Sequence, residues 1–198
     1  MQLILVRHAL PERVAHTDGT HADPGLTPEG HAQAARLVSA LAGEPLAALY
    51  TSTMRRAAET AAPLAAARGL VPVARADLRE YDAERPEYVP VGQLAGADPV
   101  AWERMRAGEL PDHVDAAAFT RRVHHALEEI VAAHPGRATA VVVAHAGVVN
   151  AYLATILGID RLLPFPLDHT GITRVLCARD GLRKARTVNE LSHVADLL

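Results

Sequence analysis

Two apolar runs dominate the hydropathy pattern. Leu3-Ile4-Leu5-Val6 and Ala138 to Ala144 are almost free of charge, as expected of strands covered on both faces in a parallel sheet. Each ends abruptly in chemistry: the first in Arg7-His8, the second in His145. Elsewhere the apolar positions recur at helical spacing. Thr27-Pro28-Glu29 reads as an N-cap, a first-position proline and a first-turn acid, and Ala34, Leu37, Val38 and Leu41 then share one face, with Gly43 as the stop. A second helix is predicted from about Met54 to Arg68, capped from Thr51-Ser52-Thr53 and closed at Gly69. A third starts at Asp115 and aligns Phe119, Val123, Leu127, Ile130 and Val131, and a fourth runs from His145 to Leu157 with Gly158 beyond it. Short strands fall at Leu46–Tyr50 and Val71–Val73. A closing hairpin, Ile172–Cys177 and Leu182–Val188, turns at Arg179-Asp180-Gly181.

Strands alternating with helices imply an α/β fold with a mostly parallel sheet. The loop from Leu10 to Leu26 and the stretch from Leu78 to His113 interrupt that rhythm. The latter holds Pro86, Pro90, Pro99 and Pro111 and one recognisable helix near Asp98–Arg106. A long, weakly patterned segment of this kind is expected to face a substrate, so residues 81–113 are read as an insertion within a single domain spanning 1–198.

Composition narrows the function classes. A formal net charge of −3 gives no reason to expect nucleic acid or an anionic membrane surface as a partner. No apolar run reaches the roughly 20 residues of a membrane span, and the start of the chain has no leader pattern. Cys177 is the single cysteine and lies on an alternating strand, so it reads as a buried, inert thiol in a reducing cytoplasm. With eleven histidines against one lysine, a lone histidine carries little weight.

The two strand-terminal histidines are different. Parallel strands bring their carboxyl ends to one edge of the sheet, so His8 and His145 should converge there. The strand at Leu46–Tyr50 leads to Arg55-Arg56 at a helix start on the same edge. Guanidinium forks, imidazoles and helix amino termini around one point make a site for a dianion, and phosphate is the natural guest.

In this order the chain carries Arg7-His8-Ala9, Leu26-Thr27-Pro28-Glu29-Gly30 with Gln33-Ala34, Ser52-x-x-x-Arg56-Ala57-x-x-Thr60-Ala61, Leu78-Arg79-Glu80 and His145-Ala146-Gly147. It thereby resembles the histidine phosphatase superfamily, the phosphoglycerate mutase-like proteins. That resemblance implies a three-layer α/β/α sandwich and a metal-independent phosphomonoesterase without a cofactor. It implies His8 as the phosphorylated nucleophile. Arg7, Arg56, His145 and the backbone of Ala146 would hold the phosphoryl group, and Glu80 would be the proton donor. Asp82 and Glu84 stand close to Glu80 as rivals. Leu10-Pro11-Glu12 replaces the Ser/Thr and Trp-Asn that mutases of the family carry, which favours hydrolysis. Phosphoglycerate mutase-type transfer and a weak phosphate-binding regulatory module are the alternatives.

Other polar positions read as ordinary. Arg55 diverges from Arg56 by one helical step and should be solvated. His16 and His21 with Asp18 and Asp23, and the adjacent His124-His125, read as surface, so no metal site is expected. Thr170-Gly171 reads as a turn, and Trp102 as an anchor of its helix in preference to a wall of the substrate pocket. Three arginines against seven carboxylates between 81 and 113 argue against multiply phosphorylated ligands. A small phosphate monoester with a neutral or mildly polar remainder is the expected partner, with a phosphoprotein as the alternative, and nothing in the sequence sets an oligomeric state.

Overall fold

The computed structural model describes residues 1–197. In chain order it forms β1 (Gln2–Arg7), β2 (Val14–Ala15), α1 (Pro28–Ala40), β3 (Leu46–Ser52), α2 (Arg55–Arg68) and β4 (Val73–Arg75). Then come β5 (Glu87–Tyr88), α3 (Val91–Ala97), α4 (Pro99–Arg106), α5 (Ala116–Ala133), β6 (Thr139–Ala144), α6 (Ala146–Leu157), β7 (Ile172–Cys177) and β8 (Arg183–Glu190).

Six strands make one sheet in the order β4-β3-β6-β1-β7-β8. The pairs β1–β6, β3–β6 and β3–β4 are parallel; β1–β7 and β7–β8 are antiparallel. Alternation along the central strands sorts their side chains onto two faces. Leu3, Leu5, Val142 and Ala144 pack with α5 and α6, while Ile4, Val6, Val141 and Val143 pack with α1 and α2. This is the three-layer α/β/α arrangement with a mostly parallel sheet. All four residues Leu3 to Val6 are fully covered, and each contributes roughly 1.5–3 kcal/mol by burial.

The helix starts follow their sequence signals. Thr27 accepts from the Gly30 N–H (2.9 Å), Asp115 from Ala118 (2.9 Å) and Asp98 from Ala101 (3.0 Å). Gly69 and Gly158 take left-handed φ values at the ends of α2 and α6. Three expectations need correction. Gly43 does not close α1, which has Leu41, two residues earlier, as its C-cap. None of Thr51, Ser52 or Thr53 caps α2: its N-cap is Met54, Ser52 Oγ accepts from the Met54 N–H, and Asp23 reaches across to accept from the Arg55 N–H (2.9 Å). The edge strand β4 starts at Val73 because it registers on Tyr50–Ser52 of β3, leaving Val71 outside the sheet and 86% exposed.

Segment 81–113 is less irregular than its sequence suggests. It holds β5, α3 and α4. β5 pairs with β2 as a separate two-stranded ribbon, tied further by His16 N–H to Pro86 O and Ala22 N–H to Arg85 O. No helix among the described residues is long and apolar enough to cross a membrane.

Candidate active site

The register of β1 on β6 pairs Arg7 with Ala144, so the next residues of both strands, His8 and His145, leave the sheet side by side. Their ring centroids are 5.2 Å apart. His8 Nδ1 lies 2.8 Å from the Ala9 carbonyl oxygen. A carbonyl only accepts, so Nδ1 carries the proton and the Nε2 lone pair is free. Burial first, then the Arg56 and Arg7 guanidiniums and the His145 ring, hold His8 well below the usual imidazole range. It is therefore neutral.

Arg56 is one of the largest fully buried side chains, at 1% exposure. One Nη donates to Asp82 Oδ1 (3.1 Å), and the Tyr88 ring of β5 covers its guanidinium at 4.5 Å. Its helical neighbour Arg55 turns outward and pairs with Glu59 (2.7 Å), as the helical step requires. Arg7 is clamped: Nη1 donates to Leu167 O (2.6 Å), and Nη2 lies 3.0 Å from His169 Nε2. A guanidinium only donates, so His169 accepts there.

Buried polar nitrogens normally find partners. Seven buried side-chain polar atoms lack a protein partner among the described residues. Five of them are Arg7 Nε, Arg56 Nε and Nη1, and both ring nitrogens of His145. Burial, then Arg56 and Arg7, keep His145 neutral as well, so one of its nitrogens is a free donor. Guanidinium and imidazole N–H groups without acceptors are thus concentrated around the free His8 nitrogen. Ala146, at the first turn of α6, lines the same cleft.

Glu80 docks its carboxylate on the amino end of α6, accepting from Gly147 N–H (2.7 Å) and Tyr81 N–H (3.1 Å). Burial and then the charge of Asp82 raise its pKa to about 7, against the lowering effect of those two N–H groups. Of its rivals, Asp82 lines the cleft bonded to Arg56, whereas Glu84 is exposed and does not.

The remaining motif residues shape the loop after His8. Thr60 accepts from the Ala9 N–H (2.9 Å) and donates to Arg56 O (2.7 Å). Gln33 accepts from the Leu10 N–H, and a Cβ on Gly30 would lie 2.1 Å from Leu10 O. His16 and His21 are exposed, Asp18 bonds within its own turn to Thr20, and His125 pairs with Glu129 at the surface. Thr170 is the expected turn residue, at φ 57° and fully buried, its N–H bonded to Arg7 O. Trp102 is not the expected anchor: α4 buries no residue, and Trp102 lines the cleft.

Sequence reasoning missed His169 and Asn150. His169 stands 5.6 Å from the His8 ring, and burial beside Arg7 lowers its pKa to about 2. One signal was available: β7 runs antiparallel to β1, so the residues just before it arrive at the edge where β1 ends. Asn150 binds both the N–H and the C=O of Phe165 (2.9 and 3.1 Å), which fixes the loop leading to Arg7's clamp.

Fold and pocket together are those of a phosphoglycerate mutase-like α/β protein. The chain belongs to the histidine phosphatase superfamily (branch 1), whose family model matches residues 3–190. It is similar to YhfR of Bacillus stearothermophilus, with 27% identity, a TM-score of 0.78 and 98% of each chain covered. The phosphoserine phosphatase of Entamoeba histolytica matches at TM-score 0.77 with 20% identity over 98% of both chains. A mycobacterial glucosyl-3-phosphoglycerate phosphatase matches at 0.74 with 20% identity over 95% of this chain and 98% of that one. At 20% identity the latter two likenesses are of fold. The PE-PGRS family protein PE_PGRS11 of Mycobacterium tuberculosis is 31% identical over 75% of this chain, which spans 29% of that protein's length.

Proposed function

We propose that this chain is a metal-independent phosphomonoesterase that works through a phosphohistidine at His8 on a small phosphate monoester. The observation that carries the reading is the set of unpartnered Arg7, Arg56 and His145 nitrogens around the proton-free Nε2 of His8. A transferring phosphoryl group spreads charge over its equatorial oxygens, so its catalyst is chiefly a set of fixed donors. Arg7, Arg56, His145 and the Ala146 N–H are those donors. His8 Nε2 attacks phosphorus; a P–N bond forms as the P–O bond to the alcohol breaks. Glu80, half protonated near neutral pH, gives its proton to the leaving oxygen. It then takes a proton from water as that water attacks the phosphohistidine, which returns His8 and releases phosphate. His169 positions Arg7, and segment 81–113 is the substrate-facing insertion. A cytoplasmic location fits the one buried thiol, Cys177.

A panel of monoesters, assayed for free phosphate with the His8→Ala protein as control, tests the reaction. Brief incubation with labelled substrate should give an acid-labile, alkali-stable phosphoprotein that His8→Ala abolishes. Label on serine or threonine, or label surviving in His8→Ala, would sink the mechanism. Label passed to a second organic acceptor instead of water would make it a mutase.

A further inference from the structure

The phosphate donors occupy one part of a cleft of about 1250 Å³. Much of the rest is apolar. α3 and α4 contribute Leu94, Ala101, Trp102 and Met105, and the segment after α6 contributes Leu163 and Phe165. Two features mark this as a built wall. Trp102 and Met105 of α4 are partly covered and are not among the side chains packed on the main core. The backbone at Phe165 is fixed by the paired bonds of buried Asn150. A glycerate or serine remainder would leave most of this surface wet.

Charge points the same way. Beyond the phosphate donors, Glu29, Asp98 and Glu109 line the cleft. Of the cleft arginines, Arg13 and Arg106 are each paired with a carboxylate, Glu87 (3.4 Å) and Glu103 (3.1 Å), and Arg85 bonds to His113 (3.2 Å). Glu109 is paired with Arg104 (3.2 Å), so a second anionic group on the substrate would meet carboxylates without an ion pair, Glu29 and Asp98, against one arginine without a carboxylate partner among the described residues, Arg85.

Resting on the phosphatase reading, we propose that the substrate is a monoester whose organic part is bulky and apolar, an aryl or long alkyl group with no second anionic group. Hydrocarbon that enters such a wall gains about three- to fourfold in affinity per buried methylene, until the wall is covered.

Trp102 is the chain's one tryptophan, so its emission reports entry into this part of the cleft without any turnover. In the His8→Ala protein, n-octyl phosphate below its micelle concentration should shift that emission to the blue and bind at least tenfold tighter than methyl phosphate. Inorganic phosphate should displace it while leaving the emission of the protein alone unchanged. In the wild-type protein kcat/KM should climb from methyl through butyl to octyl phosphate and exceed that for phosphoserine or phosphoglycerate. Met105→Glu should flatten the climb from methyl to octyl phosphate. Equal binding of octyl and methyl phosphate, or a preference for the carboxylated esters, overturns the proposal. Octyl phosphate that binds at Trp102 and competes with phosphate, in a protein that hydrolyses no ester, would overturn the phosphatase reading and leave the cleft's preference standing.

Discussion

In the proposed reaction Glu80 gives a proton and takes one within a single turnover, and its neighbours set the pH at which it can do both. Burial raises its pKa, the Asp82 charge raises it further, and the Gly147 and Tyr81 N–H groups pull it back, leaving it near 7. On the proposed mechanism the free enzyme needs Glu80 protonated to expel an alkoxide, so kcat/KM for an alkyl ester should be level between about pH 6 and 7 and fall tenfold per unit above that. His8 stays neutral throughout because its own pKa lies far lower, so loss of activity toward pH 6 should follow the substrate's second ionisation, near 6 for a phosphate monoester. Asp82→Asn removes the raising charge, and the alkaline limb should move to lower pH; a limb that stays put or moves up would show that Asp82 does not act on the essential acid. His8, His145 and Arg56 were legible because each lies at a predictable strand or helix end. The Arg56–Asp82 pair and the His169 clamp on Arg7 were not, since each joins residues at least 26 apart in sequence by a side-chain bond that no local pattern encodes.

Among the elements, α6 does the most for the site, and a single atom controls what its amino end holds. A Cβ on Gly147 would lie 2.3 Å from Glu80 Oε1, closer than contact allows. The backbone there is ordinary helix, where alanine is normally favoured over glycine by about 0.5–1 kcal/mol. Gly147→Ala should therefore keep or slightly raise thermal stability while evicting the carboxylate. General acids typically contribute 10²–10⁴-fold. The variant should lose at least about tenfold on alkyl phosphates and far less on nitrophenyl phosphate, whose leaving group needs no proton. Equal losses on both would mean that Gly147 serves the phosphate donors instead. Elements with strong periodicity, such as β1, β6 and α5, could be read from sequence because packing against the sheet and local pattern agree. β2, β5 and α3 could not. Two-residue strands have no period to detect, and Val91–Ala97 is mostly small residues without a clear face. The β2–β5 ribbon exists through pairing between segments some 70 residues apart, and it brings Tyr88 over Arg56.

The whole molecule carries a cost for this site. A guanidinium at 1% exposure keeps one carboxylate bond and leaves two nitrogens without partners, and the neighbouring Arg7 leaves another. Buried cations lose hydration that a single neighbouring carboxylate does not restore. The two arginines should therefore lower the stability of the unliganded protein, and an oxyanion bound between them should restore it. Binding at a hundred times Kd adds about 2.7 kcal/mol. In a chain of 198 residues that corresponds to a rise in Tm of roughly 5–10 °C. Vanadate should produce such a rise in the wild-type protein. Arg56→Met keeps most of the buried volume and removes the charge; Asp82, 20% exposed, retains part of its hydration. Without ligand this variant should melt at or above the wild-type temperature, while its vanadate shift should shrink to under about 2 °C. A drop of several degrees in the unliganded variant would instead make Arg56 a structural ion-pair partner of Asp82. The burial of this arginine would then be explained by the fold and not by the phosphate.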